Sequence, residues 1–327
     1  MIEYILEQSS VIRVINDSSY KLNIRNNYHQ VIIAASGSSL NAALLAISIL
    51  KLKKDKYIIL NPHDLRYDTD YLSNSDNLLI GVSQTGGSVS TLECMQLANQ
   101  NNLTTISLTS GVNNPLANEA KVKVDICCGQ EPIGPKTKGY LASVLSLIKV
   151  IAQNIEMIDY DISSLYLSVD NAPKYISMVD EWINNNQDWI LASCYSMVGY
   201  SLDDSLCKEG ALKILETHQV PIMNYPAEEF MHGPHRTIVE NSKLIVLDSQ
   251  DDTHDSMYNL VEFAKSKGCD VLVISTYDDY EDAMLVNTWV DILLLLQILA
   301  ALLPAHKGIN PSDPVHPEFA KIMNTRL

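Results

Sequence analysis

The segment Val82-Ser83-Gln84-Thr85-Gly86-Gly87-Ser88 sets hydroxyls, an amide and two glycines between the apolar run Leu78-Leu79-Ile80 and Val89–Ala98, whose apolar spacing is helical. Such a strand-to-helix turn offers hydroxyl donors, backbone N–H groups and the positive end of a helix. That combination holds an anion, typically a phosphate, although a tight turn with a serine cap is the ordinary alternative. A second turn of this kind, Ser36-Gly37-Ser38-Ser39, follows Val31–Ala35. In a doubly wound sheet both would lie at the carboxyl ends of neighbouring strands, where ligands bind. The chain contains neither G-x-G-x-x-G nor G-x-x-x-x-G-K-[ST], which disfavours a dinucleotide or a nucleoside triphosphate and leaves a sugar phosphate as the better fit.

Proton chemistry is suggested further along. Glu209, Lys213 and Glu216 are spaced i, i+4, i+7 and share one face of a helix. Such a face is commonly a solvated row of ion pairs. Here the helix runs into Thr217-His218-Gln219 and then Tyr225–His235, where His232 is followed by Gly233 and Pro234. A histidine on a loop of fixed shape suits a positioned acid or base. His232 and His235 with Glu228 and Glu229 lack helical ligand spacing, and no Cys or Asp completes a set, so no metal is expected and no cofactor is called for. The tail Lys307–Lys321 carries prolines at 311, 314 and 317. It reads either as a frayed end or as a stiff segment that returns to a site with Lys321.

The elements that must position these groups alternate. Strands are expected at 31–35, 57–60, 78–80, 104–108 and 122–126, with helices at 2–25, 40–52, 89–98 and 139–157. After a linker at 158–172 the pattern resumes, with strands at 188–193, 219–223, 244–247 and 270–274 and helices at 172–184, 205–216, 258–267 and 291–303. Pro221 confines its strand to an edge or an end. The two halves overlay: Leu79–Gln84 matches Ile245–Gln250 and Thr104–Thr109 matches Asp270–Ser275, both at an offset of 166 residues. An internal repeat of this kind argues for a duplicated domain. Where the first copy continues Thr85-Gly86-Gly87-Ser88, the second has Asp251-Asp252-Thr253. Two carboxylates repel a phosphate and no glycine admits one, so the copies are expected to have parted in function.

Bulk properties narrow the partners. The chain has 327 residues, 46% of them apolar, and a net charge of −16. Two domains are expected at this length, and the acidic balance disfavours nucleic acid or an anionic membrane. Six cysteines without a C-x-x-C pair suggest reduced thiols. The N-terminus carries acids where a signal peptide carries basic residues, and the apolar stretch 292–303 is short for a bilayer and contains Gln297. The expectation is a cytoplasmic protein.

Taken together, Ser36–Ser39, Ser83–Ser88, Glu131-Pro132-Ile133-Gly134-Pro135-Lys136-Thr137-Lys138-Gly139-Tyr140, Glu209–Lys213 with Glu216, and Ala227–Pro234 resemble the sugar isomerase (SIS) family. The nearest kinds are the isomerase half of glutamine–fructose-6-phosphate aminotransferase and the fructosamine-6-phosphate deglycases. The resemblance covers nearly the whole chain. It implies an α/β fold of two tandem SIS domains, residues 1–165 and 166–327, each a doubly wound parallel sheet flanked by helices, with a C-terminal tail. It also implies that Ser39, Ser83, Gln84, Thr85 and Ser88 hold the sugar phosphate, with Ser38 and Glu209 completing the substrate site. Glu216 then corresponds to the base that moves a proton between C1 and C2, and His232 to a histidine that assists ring opening from the neighbouring subunit of a homodimer with shared active sites. Lys321 matches a lysine that forms a Schiff base, and Lys213 a lysine near the sugar oxygens. The chain departs from the aminotransferase pattern in having no N-terminal cysteine, no glutaminase-like segment and Gly87 in place of Glu. The expected substrate is a ketosamine or amino-sugar 6-phosphate without glutamine as nitrogen source. A non-catalytic sugar-phosphate sensor and a simple aldose–ketose isomerase are the alternatives.

Overall fold

The computed structural model describes residues 1–250 and 252–327. The chain forms two compact units. One comprises Glu7–Pro132, Lys136–Ser164 and Pro314–Leu327; the other comprises Met1–Leu6, Ile133–Pro135 and Leu165–Asp313. The N-terminal stretch, expected as one helix over residues 2–25, is divided into α1 (Ile2–Leu6) and α2 (Gln8–Asp17). Only α2 belongs with the first sheet, because α1 clusters with the second.

In the first unit, β1 (Val31–Ala34), β2 (Tyr57–Leu60), β3 (Leu78–Val82), β4 (Thr104–Thr109) and β5 (Val122–Asp125) form a parallel sheet in the order β2-β1-β3-β4-β5. β1 and β3 are buried along their whole length, which is why their sequences run apolar without alternation. The crossovers are α3 (Ser38–Ile49), the short α4 (Pro62–Tyr67) and α5 (Asp70–Ser73), α6 (Val89–Gln100) and α7 (Pro115–Glu119). α8 (Lys138–Ile151) is buried at every residue and ends in a π-helical turn, Ala152–Glu156. Its Lys149 ammonium donates to the carbonyls of Ile15, Asn16 and Ser18, which satisfies the C-terminal end of α2.

The second unit begins with α9 (Tyr166–Asp170) and α10 (Ala172–Asn185) and repeats the topology. β6 (Tyr195–Gly199), β7 (Ile222–Pro226), β8 (Lys243–Asp248), β9 (Asp270–Ser275) and β10 (Met284–Leu285) are arranged β7-β6-β8-β9-β10, parallel throughout. The register repeats as well: Leu78 pairs with Thr104, and Leu244 with Asp270, each 166 residues on. α11 (Leu202–His218), α12 (Ala227–Met231), α13 (His254–Ser266) and α14 (Trp289–His306) cover this sheet.

Residues 188–193, expected as a strand, form a 3-10 turn at Gln187–Leu191, and the strand follows at Tyr195. The Trp189 ring there contacts Trp182 and Tyr195 rather than extending the sheet. β7 starts after Pro221 and lies on an edge, as the missing N–H requires. α14 is longer than its apolar core suggests and, by length and composition alone, could cross a membrane; 78% of its residues are buried inside the protein, as for a core helix. The tail Pro314–Leu327 carries α15 (Phe319–Ile322) and clusters with the first sheet.

Candidate active site

In the first unit, β1 and β3 are the strands between which the strand order reverses, since the chain leaves β1 for β2 on one side and returns as β3 on the other. The turns that follow them, Ser36–Ser39 and Ser83–Ser88, therefore stand side by side at the switch point. Gly37 takes φ +57° and ψ −135° to swing the chain into α3, so Ser38 and Ser39 are the first two residues of that helix. After β3, Ser83 is nearly buried and its carbonyl accepts from Gly86 N at 3.0 Å, which closes the turn. Gly86 has φ +66°, and a Cβ there would fall 1.9 Å from the Asn114 side chain. That side chain caps α7 by accepting from Ala117 N and ties the loop after β4 to the turn. Ser88 is the N-cap of α6, and its Oγ accepts from Thr91 Oγ1 at 3.0 Å. Thr85 Oγ1 accepts from Gly87 N at 3.4 Å.

Gln84 is held by Glu131, a loop residue whose role the sequence does not reveal. The nearly buried Glu131 carboxylate accepts from Thr137 N (2.7 Å), Thr137 Oγ1 (2.8 Å), Gly139 N (3.0 Å) and Gln84 Nε2 (3.2 Å). It thus caps the start of α8 and, being an acceptor only, settles which end of the Gln84 amide faces it. Gly139 has no Cβ because the Gln84 amide lies 1.9 Å from where one would stand. The signal in the sequence is an acid in a Gly/Pro loop seven residues ahead of a long apolar helix. Two of its four donors are backbone N–H groups, which no residue type reveals.

The tail returns to this unit. Leu327 N donates to Gly87 O at 3.0 Å and Val89 N donates to Thr325 O at 3.3 Å, with Ser88 and Arg326 bridged antiparallel. Lys321 sits on α15, exposed.

In the second unit, α11 buries Glu209 and Lys213 and leaves Glu216 at the edge of the same face. Lys213 is 1% exposed, and its Nζ lies 2.5 Å from Glu216 Oε2 and 3.5 Å from Glu209 Oε1. The side chain of Glu209 is fully buried, whereas that of Glu216 is one-third exposed. The solvated-face alternative is thereby excluded. Burial pushes the Lys213 ammonium toward its neutral form, but Glu209 and then Glu216 outweigh it and hold the pKa above the ordinary lysine value. Gly210 makes the burial possible, since a Cβ there would meet the Leu296 side chain of α14 at 2.8 Å. His232 follows α12 with its side chain 73% exposed and its Nε2 3.3 Å from Glu228 Oε1. Among the described residues it shares no hydrogen bond with α11. At the end of that helix His218 is buried, and burial followed by the nearby Lys307 lowers its pKa, favouring neutral imidazole.

The second copy of the anion turn is built differently. Ser249 N and Oγ donate to the Asp203 carboxylate at 2.8 and 2.6 Å. Asp251 lies outside the described residues, and Asp252 is exposed. Among the described residues no group of three or more His, Cys, Asp or Glu is placed to hold a metal ion.

Two sheets of one topology, one with hydroxyl-rich turns at its switch point and the other flanked by a helix with a buried Glu209–Lys213 pair next to Glu216, define a duplicated doubly wound α/β protein. The SIS domain family model matches residues 23–152 and 196–280, a segment in each repeat, and the chain belongs to that family. Among curated relatives, the isomerizing glutamine–fructose-6-phosphate aminotransferase of Thermococcus kodakarensis is 24% identical over 310 residues, 88% of this chain and 51% of that protein. The corresponding Pyrococcus horikoshii enzyme is 24% identical over 342 residues, 96% and 56% respectively. The chain spans about half the length of these relatives. Among solved structures, a Clostridium difficile 630 protein provisionally assigned as a phosphosugar isomerase superposes with a TM-score of 0.86 at 22% identity, over 100% of this chain and 99% of that one. Glucosamine-6-phosphate deaminase of Thermotoga maritima gives 0.76 at 19% identity, over 96% and 97%. These likenesses establish the fold.

Proposed function

We propose that the chain is a SIS-type phosphosugar isomerase acting on a ketosamine or amino-sugar 6-phosphate by proton transfer between C1 and C2. The observation that carries this reading is the buried Lys213 ammonium bound to a partly exposed Glu216, a carboxylate that can reach a ligand beside a cation that cannot leave. In this reading Ser38, Ser39, Ser83, Gln84, Thr85 and Ser88 hold the phosphate. The Glu216 carboxylate takes the proton from the carbon next to the carbonyl, and the electron pair moves onto the carbonyl oxygen to give an enediol or enolamine. Lys213, backed by Glu209, steadies the charge on that oxygen, and Glu216 returns the proton to the neighbouring carbon. The exposure of His232 suits a group that assists ring opening across a homodimer, and the exposure of Lys321 suits a Schiff-base lysine. Similarity to aminotransferase and deaminase proteins supports an amino sugar.

The test is turnover of fructosamine 6-phosphates, glucosamine 6-phosphate and fructose 6-phosphate, followed as glucose 6-phosphate, fructose 6-phosphate or free amine. Glu216→Gln is expected to lower kcat by about 10²- to 10⁴-fold with phosphate-ester affinity intact. Full activity in that variant overturns the role of Glu216. Binding without conversion across the panel makes the protein a sensor.

A further inference from the structure

We propose that the second sheet retains an anion cup and fills it from within: the Asp203 carboxylate occupies the place that the first sheet leaves for a ligand's oxyanion. The inference rests on the phosphate-holding turns proposed above, though not on the proton transfer, and on the correspondence of the two sheets. β6 and β8 are the switch-point pair of the second sheet, as β1 and β3 are of the first. After β1 a positive φ at Gly37 (+57°) turns the chain into α3; after β6 a positive φ at Ser201 (+48°) turns it into α11. The second residue of each helix is Ser39 in one copy and Asp203 in the other. After β3 comes Ser83, and 166 residues on, after β8, comes Ser249.

The hydrogen bonds then diverge. Ser83 N stays in the strand ladder and donates to Leu108 O at 3.1 Å. Ser249 N instead turns to Asp203 Oδ2 at 2.8 Å, while Ser249 Oγ donates to Asp203 Oδ1 at 2.6 Å. One carboxylate thus ties both strand-end turns together at the start of a 17-residue helix, offering two acceptor oxygens where a phosphate would offer its own. Asp203 is 1% exposed and packs on Gly199, where a Cβ would fall 2.7 Å from its own. Burial raises its pKa to about 6, against the pull of Ser249, with Asp248 adding to the rise. The neighbouring charges are otherwise committed: Asp248 accepts from His254 and Tyr280, His254 pairs also with Asp279, and Asp204 pairs with Lys208. The consequence is that the second sheet's strand-end turns are closed to an external anion, with α11, the helix of Lys213 and Glu216, pinned at its first turn.

Asp203→Ser installs the first sheet's residue and vacates the carboxylate. Its unfolding temperature should drop and should recover, in a concentration-dependent way, on addition of formate or inorganic phosphate. Comparison in a Ser83→Ala/Ser88→Ala background removes the response of the first cup. Asp203→Asn, which fills the same space and can accept from Ser249 N while donating to Ser249 Oγ, should respond no more than the parent. An Asp203→Ser chain that folds only with formate or phosphate present supports the inference. A variant whose stability or refolding yield is indifferent to both anions, or answers them no more than Asp203→Asn does, overturns it.

Discussion

Lys213 illustrates how far single residues constrain the chemistry. Its ammonium is fully enclosed yet doubly compensated by Glu209 and Glu216, so Lys213→Met should strand the Glu209 carboxylate in the interior. A loss of about 3–5 kcal/mol in urea unfolding is expected, partly recovered in Lys213→Met/Glu209→Leu, while turnover stays lost in both. The i, i+4, i+7 spacing made the shared face legible in the sequence; its burial was not, because that depends on Gly210 and on Leu296 of a helix 86 residues away. Glu131 was equally hidden, its partners being two backbone N–H groups, the Thr137 hydroxyl and the Gln84 amide. Glu131→Gln turns an NH2 toward converging donors, and about 10- to 100-fold weaker binding of an unreactive sugar-alcohol 6-phosphate is expected by calorimetry. Asp203 supplies a pH signature. Its folded pKa of about 6 stands above the ordinary 3.8, so the stability it contributes is full below about pH 4 and is lost as pH rises through 6. Wild type should therefore lose on the order of 2–3 kcal/mol relative to Asp203→Asn between those limits, read from paired unfolding curves.

At the scale of elements, the start of α8 and the turn after β3 behave as one piece. Gly139→Ala would force the Gln84 amide off Glu131, the far end of a side chain rather than backbone giving way. The expected result is near-native thermal stability with phosphate-ester affinity reduced tenfold or more. By contrast Gly210→Ala presses α11 against α14 and should cost about 1–3 kcal/mol, despite the better helix propensity of alanine. The strands were legible where apolar runs are continuous, as in Val31–Ala34 and Leu78–Val82. The run Trp189-Ile190-Leu191 misled because the Trp189 ring packs on Trp182 and Tyr195 without the segment joining the sheet. The short helices α4 and α7 had signals that went unused: Asn61 and Asn114 each cap a helix that opens on proline.

At the scale of the whole chain, the 166-residue offset between the sheets was the most informative feature of the sequence, and it recurs in strand order and pairing register. On the proposed reading, duplication lets two turns of one pattern serve different anions, one a ligand's and one the Asp203 carboxylate. Binding of a sugar phosphate should accordingly slow amide exchange at residues 36–39 and 83–89 and leave 199–203 and 248–250 unchanged. The pairing of Thr325–Leu327 with Gly87–Val89 adds a mechanical consequence. The same short run of backbone forms the rim of the cup and the dock for the tail, so occupancy and docking draw on one free energy and must affect each other equally. Trypsin scission after Lys321 becomes a reporter of that linkage: sugar phosphate should slow the cut, and chains already cut should release their ligand faster.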